Sequence, residues 1–207
     1  MPTPTPPYAR LATDPLVVAQ DGVATVHQLM DLGCASSAVA ALCRPPGPWR
    51  RLLPRVVLLH TGAPSPRQRL RGALLYAGPD ALLTGPAALA LHGVPHDVPF
   101  GAGSPPPQVD VLVTHRAGPR SHAYVRVRPT LRPARRVPVS DLPCASLPRA
   151  VTDSIPHLDG DHAITTLLTE VTRHGLCAPG ELLAELQAAQ LMREPWVAAI
   201  LRGVTDT

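Results

Sequence analysis

Apolar positions along this chain fall into short runs whose spacing switches between helical and alternating. In "TVHQLMDLG" (25–33), Val26, Leu29 and Leu32 recur at three-residue intervals, which predicts one buried helical face. Thr25 and Gln28 hold the capping-box spacing at its start, and Gly33 closes it. Upstream, "DPLVVAQDG" (14–22) predicts a short helix with Asp14 at the N-cap, Pro15 at the first helical position and Gly22 past the end. After a three-residue turn, Ser36 is expected to cap a third helix, "SAVAALC", with Val39, Leu42 and Cys43 on one face. "WRRLL" (49–53) and "VVLLH" (56–60) then predict two short strands around Pro54 and Arg55.

Helix, helix, short turn, helix, hairpin is the order of a winged helix-turn-helix, in which the third helix enters the major groove and the hairpin touches the phosphate backbone. Farther along, "SPRQRLRGALLYAG" (65–78) and "TGPAALALHG" (84–93) predict capped helices, and "GAGSPPPQ" (101–108) a loop. "VDVLVTH" (109–115) and "AYVRVRP" (123–129) alternate as strands. Four further helices are expected at 146–155, 161–175, 179–190 and 194–203. The fold class is therefore α+β: a disordered tail over 1–13, a winged helix-turn-helix over 14–62, and a mixed α/β domain with a small sheet over 63–207, ending in helices.

Composition adds a core of Leu, Val and Ala: apolar residues make up 45% of the 207, aromatics only 3%. All nineteen basic residues are arginine, and the chain has no lysine and no asparagine. With 27 prolines this bias points to a GC-rich genome, so part of the arginine content is codon drift. A Walker-A lysine, a Schiff-base lysine and the lysine of a restriction-type nuclease site are excluded. The net charge of +4 is uneven. Residues 1–60 carry five Arg against three Asp, 61–149 eleven Arg against four Asp, and 150–207 three Arg against eight acids. Glu170, Glu181, Glu185 and Glu194 of the acidic end are placed either to meet a protein partner or to dock on the arginine strands.

Charge and pattern together select the candidate residues. Arg50, Arg51 and Arg55 sit where a wing meets phosphates, Trp49 is expected to lock the hairpin base to the core, Arg44 follows the third helix, and Ser36 and Ser37 face the groove. That helix is bare until Arg44, with no Arg, Asn or Gln for bidentate base reading. A second basic patch is Arg67 and Arg71, spaced i,i+4, with Arg116, Arg120, Arg126, Arg128, Arg132, Arg135 and Arg136; Arg67 and Arg69 fall near the positive end of their helix. Cations in that helical position are disfavoured unless an anion meets them.

Other chemistry finds little. "LHGVPHD" brings His92, His96 and Asp97 close, but Gly93 and Pro95 prevent a shared helical face, so no metal is expected; His92 is placed to pack or donate at its helix end. "DGD" (159–161) reads as a helix cap. Nucleophile elbows, zinc helices and phosphate loops are absent, so neither enzyme activity nor a cofactor is expected. Cys34, Cys43, Cys144 and Cys177 form no C-x-x-C pair and suit free thiols in a reducing cytosol. No signal peptide or membrane span is expected, which makes the protein cytoplasmic.

The stretch "DGVATVHQLMDLGCASSAVAALCRPPGPWRRLLPRVVLLHTG", through "GVAT-x-x-QL", "LG-x-x-x-SAV" and "WRRL-x-P", resembles the N-terminal domain of AbiEi-family antitoxins of type IV toxin–antitoxin systems. "PSPRQRLRGALLYAGPDALLTGPAALALHGVP" and "CASLPRAVTDSIPHL" are similar to later segments of the same proteins, and the likeness spans roughly 14–200. The resemblance implies an autoregulator that binds double-stranded operator DNA near its own gene, with a nucleotidyltransferase-like toxin as partner; a homodimer is expected separately, because two or three phosphate contacts bind weakly and paired half-sites supply the missing affinity. The resemblance also implies an AbiEi-like C-terminal domain, here without the endonuclease domain some relatives carry. Residues alone leave an alternative open: a non-catalytic protein-interaction module, or the remnant of a winged-helix–endonuclease fusion.

Overall fold

A computed structural model describes residues 8–95, 108–114 and 118–191. It is a mixed α and β structure with two sheets. Four short helices open it: α1 (Ala9–Ala12), α2 (Pro15–Ala19), α3 (Val26–Asp31) and α4 (Ser36–Leu42). Between α2 and α3 lies β1 (Val23–Thr25), and after α4 come β2 (Arg50–Leu53) and β3 (Val56–Leu58). These strands form an antiparallel sheet in the order β1-β3-β2.

The local chemistry matches the residues. Asp14 accepts from the Leu16 N–H, and Thr25 and Gln28 complete a reciprocal capping box. Ser36 is not the cap of α4: Ala35 holds that position, and Ser36 is already in the first turn. Residues 9–12, expected to be disordered, form a helical turn because Tyr8 packs edge-on against Trp49, centroids 6.3 Å apart, and Leu11 joins the same cluster.

The central strand β3 explains how the first sheet is held. Val57 and Leu59 face a cluster with Val17, Leu29, Val39 and Trp49, whereas Val56 and Leu58 join the large core of the rest of the chain. That large core also takes in Leu74 of α5 (Pro66–Ala77), so apolar packing runs unbroken across the 62/63 boundary expected from sequence. Contact is close at Gly72 of α5, where an added Cβ would meet Leu52 Cδ2 at 2.6 Å and Tyr124 Oη at 2.9 Å.

The second sheet contains β4 (Leu82–Thr84), β5 (Val109–Val113), β6 (Val125–Pro129), β7 (Arg136–Val139) and β8 (Leu142–Ala145), in the order β6-β5-β4-β8-β7. β5 runs parallel to β6, and β4 parallel to β8. On it pack α6 (Gly85–Leu91) and α7 (Leu147–Ser154), followed by α8 (Gly160–Arg173) and α9 (Pro179–Ala188). Asp159 stands at the N-cap of α8 but its side chain makes no cap bond, contrary to its expected role. His92 donates from Nε2 to the Ala145 carbonyl at 2.9 Å, the helix-end role expected of it. The helix expected at 194–203, with Glu194, lies outside the described residues, as do His96, Asp97 and Arg116.

Candidate nucleic-acid interface

The third helix and the hairpin meet through Trp49. Its side chain is buried, and its backbone N–H donates to the Leu42 carbonyl at the end of α4, which fixes β2 against that helix. Around this joint Arg44, Arg50, Arg51 and Arg55 are all exposed, and none forms an ion pair with a described residue.

Strand register sorts them. Arg51 lies opposite Val57, whose side chain faces the helices, so Arg51 stands on the α4 side of the sheet. Electrostatics agree: burial pushes the Cys43 thiol up, and Arg51 pulls it part of the way back. Arg50 lies opposite Leu58, on the α5 side, with Nη1 3.5 Å from the Gly62 carbonyl. Arg55 forms the hairpin tip at φ 61°, a left-handed conformation that glycine adopts more readily, and its carbonyl accepts from the Val26 N–H at the start of α3.

The outward face of α4 consists of Ser36, Ser37, Ala38, Ala40 and Ala41, all exposed. It permits close approach of a phosphate backbone, and the two hydroxyls are its only polar side-chain groups.

The expected second basic patch is differently placed. Arg67 and Arg71 form a ring with two carboxylates: Arg67 Nε to Asp21 at 2.9 Å, Arg71 Nε to Asp21 at 3.2 Å, and both guanidiniums to Asp141. The anion their helical position calls for is supplied by the chain itself. It ties the turn after α2 to α5 and to the β7–β8 turn.

Arg126 and Arg128 flank Asp110, which is 2% exposed. The register places Thr84, Asp110 and Arg126 in one row across β4, β5 and β6. Asp110 also takes a hydrogen bond from His157 Nε2 at 2.6 Å, while its Oδ1, 4.0 Å from Arg126 Nε, accepts no hydrogen bond from a described residue. Beside it, Asp153 accepts from Thr84 Oγ1 at 2.7 Å and from Arg149 Nε at 3.0 Å, both buried. Arg132 and Arg149 both reach Glu185 of α9. Glu185 of the acidic end thus docks within the chain, on Arg132 of the loop after β6 and Arg149 of α7, rather than on the arginine strands themselves.

Arg136 donates to the Pro79 carbonyl, and Arg120 and Arg135 are exposed. No sequence argument had singled out Asp110, Arg149, Asp153 or His157 as a cluster. Two signals were available: a lone aspartate inside the apolar run "VDVLV", and the i,i+4 pair in "RAVTD".

Among the described residues no three His, Cys, Asp or Glu side chains gather as metal ligands, and no helix is long and apolar enough to cross a membrane. No family model matches the chain, and no curated protein matches it.

Proposed function

We propose that the protein is a DNA-binding regulator that docks α4 and the β2–β3 hairpin, as a winged helix-turn-helix, on an operator near its own gene. It acts by occupancy rather than catalysis. The observation that carries this reading is the cluster of four exposed arginines around α4 and the hairpin, without a described carboxylate in contact. Six bodyward arginines, by contrast (Arg67, Arg71, Arg126, Arg128, Arg132 and Arg149), are paired with the chain's own acids. The antitoxin resemblance supports it and adds a nucleotidyltransferase-like toxin as partner; a second copy of the chain is proposed on grounds of affinity. Paired half-sites would give a homodimer the affinity that one small reader lacks.

A second reading has its own observation. The small Ser and Ala face of α4 offers no bidentate contact to bases, which favours a protein-interaction module on this same surface.

Fluorescence anisotropy separates the two. The titrations use the duplex upstream of the gene and a scrambled duplex at two salt concentrations. They compare the wild type with an Arg44→Ala/Arg51→Ala/Arg55→Gly variant, whose glycine relieves the left-handed backbone while removing the charge. Three phosphate contacts predict an affinity drop of about 40-fold between 50 and 200 mM salt, lost with the variant. Absence of binding to either duplex rejects the regulator and leaves the interaction module.

A further inference from the structure

We infer that the cleft between the β6–β7 loop and the C-terminal ends of α7 and α9 is a binding site for an acidic α-amino acid, a small zwitterion with two carboxylates and one ammonium. The cleft has a volume of about 820 Å3, within the range of small-molecule sites. Arg128 of β6, Arg132 of the following loop and Asp153 of α7 line it, together with Leu131, Pro156 and Ala188.

A charged network lies behind this lining. Arg149, 5% exposed, bonds Asp153, the Thr130 hydroxyl and the Arg132 carbonyl, and so holds the loop against α7. Arg126, Arg128, Arg132 and Arg149 meet Asp110, Asp153 and Glu185 here, four cations against three carboxylates before His157 is counted. Charges this deep cost stability unless each is fully paired, and a cleft opening on such a network is where a ligand can complete it.

Each of the two lining arginines is held through one nitrogen. Arg128 donates through Nη1 to Asp110 and to the Asp153 carbonyl, and the Arg132 side chain through Nη1 to Glu185. Nε and Nη2 of both, the edge that grips a carboxylate with two parallel bonds, donate to no described residue. Asp153 accepts from Thr84 and Arg149 through Oδ2, and its Oδ1 accepts no hydrogen bond from a described residue. Two guanidinium edges and one carboxylate oxygen thus remain for a ligand, and their complement is two carboxylates and one ammonium. Leu131 and Pro156 of the same lining can cover the aliphatic carbons between those charges. A ligand without the second carboxylate leaves one arginine edge unmatched, and one without the ammonium sets its anions against Asp153 alone. The site stands whether or not the chain binds DNA.

Isothermal titration calorimetry on the full chain, with L-glutamate, L-glutamine and glutarate as probes, tests this. Glutamate is expected to bind saturably. Glutamine, which lacks the second carboxylate, and glutarate, which lacks the ammonium, should each bind about ten-fold or more weakly. Ala188→Trp, at an exposed position of α9 that lines the cleft, should abolish binding without touching the core. Absence of saturable glutamate binding overturns the site. Equal binding of glutamine overturns the pairing of two carboxylates with two arginines, and equal binding of glutarate overturns Asp153 as the seat of the ammonium. Unchanged binding in Ala188→Trp overturns the location.

Discussion

The arginines around α4 and the β2–β3 hairpin and six arginines of the rest of the chain stand in opposite circumstances. Arg44, Arg51 and Arg55 project from a small joint of helix and hairpin where none contacts a described carboxylate. Arg67, Arg71, Arg126, Arg128, Arg132 and Arg149 each reach a carboxylate of the same chain. The second set is the more numerous, six against three, yet the first is the one without a carboxylate of its own. Anion binding therefore depends on where the acids fold to, and here they fold onto the body.

The largest effect that tests this contrast is on stability. Arg149 is 5% exposed and holds Asp153, itself 8% exposed. Arg149→Ala leaves that carboxylate buried without its cation and should cost about 3–5 kcal/mol in urea unfolding. Arg51→Ala, at the surface, should change stability by no more than about 0.5 kcal/mol. Equal losses at the two positions would erase the distinction between structural and available arginines.

A smaller effect sharpens the picture within the first set. The register turns Arg51 towards α4 and Arg50 away from it. In salt titrations of duplex binding, Arg51→Ala should lower the log–log slope by about 0.9, one phosphate contact, and Arg50→Ala by less than half of that. A reversed order would place the duplex on the α5 side of the hairpin.

What the sequence made legible follows the same division. Local signals were decisive where a few neighbouring residues set the outcome: the Thr25–Gln28 box, the Asp14 cap, and the hairpin at Pro54–Arg55 all stand in the structure. Long-range pairing was not legible. β1, β4, β7 and β8 are three or four residues long, too short for alternation to show, and they exist because neighbouring strands complete their hydrogen bonds. The carboxylate partners were hidden for the same reason: Asp21 and Asp141 lie 46 and 74 residues from Arg67. The i,i+4 arginines signalled that an anion was needed, and only the fold shows which one.

The ring itself gives a pH test of intermediate size. Arg67, and after it Arg71, hold the Asp141 carboxyl below its usual range. A lowered folded-state value adds stability above the unfolded value, about 3.9, and that stability is lost as pH falls through the folded value. The gap in urea midpoint between wild type and Asp141→Asn should thus be constant above about pH 5, shrink below about pH 4 and vanish in stronger acid. A gap that persists in acid would mean that Asp141 acts through its turn geometry, not its charge.

The finest probe of the open arginines is the thiol beside one of them. Burial raises Cys43 and Arg51 opposes the rise, whereas burial alone raises Cys34. Because the thiolate is the reacting species, Arg51→Ala should slow iodoacetamide labelling of Cys43 at pH 8 while leaving Cys34 unchanged. A bound duplex should act in the same direction, since its phosphates neutralise Arg51. Cys144, pushed up to about 12, and Cys177, to about 11, serve as internal controls that label only on unfolding. Protection of Cys34 and Cys43 alike would indicate general tightening of the N-terminal helices. Protection confined to Cys43 would locate the duplex at the junction of α4 and β2, where the structure leaves its cations open.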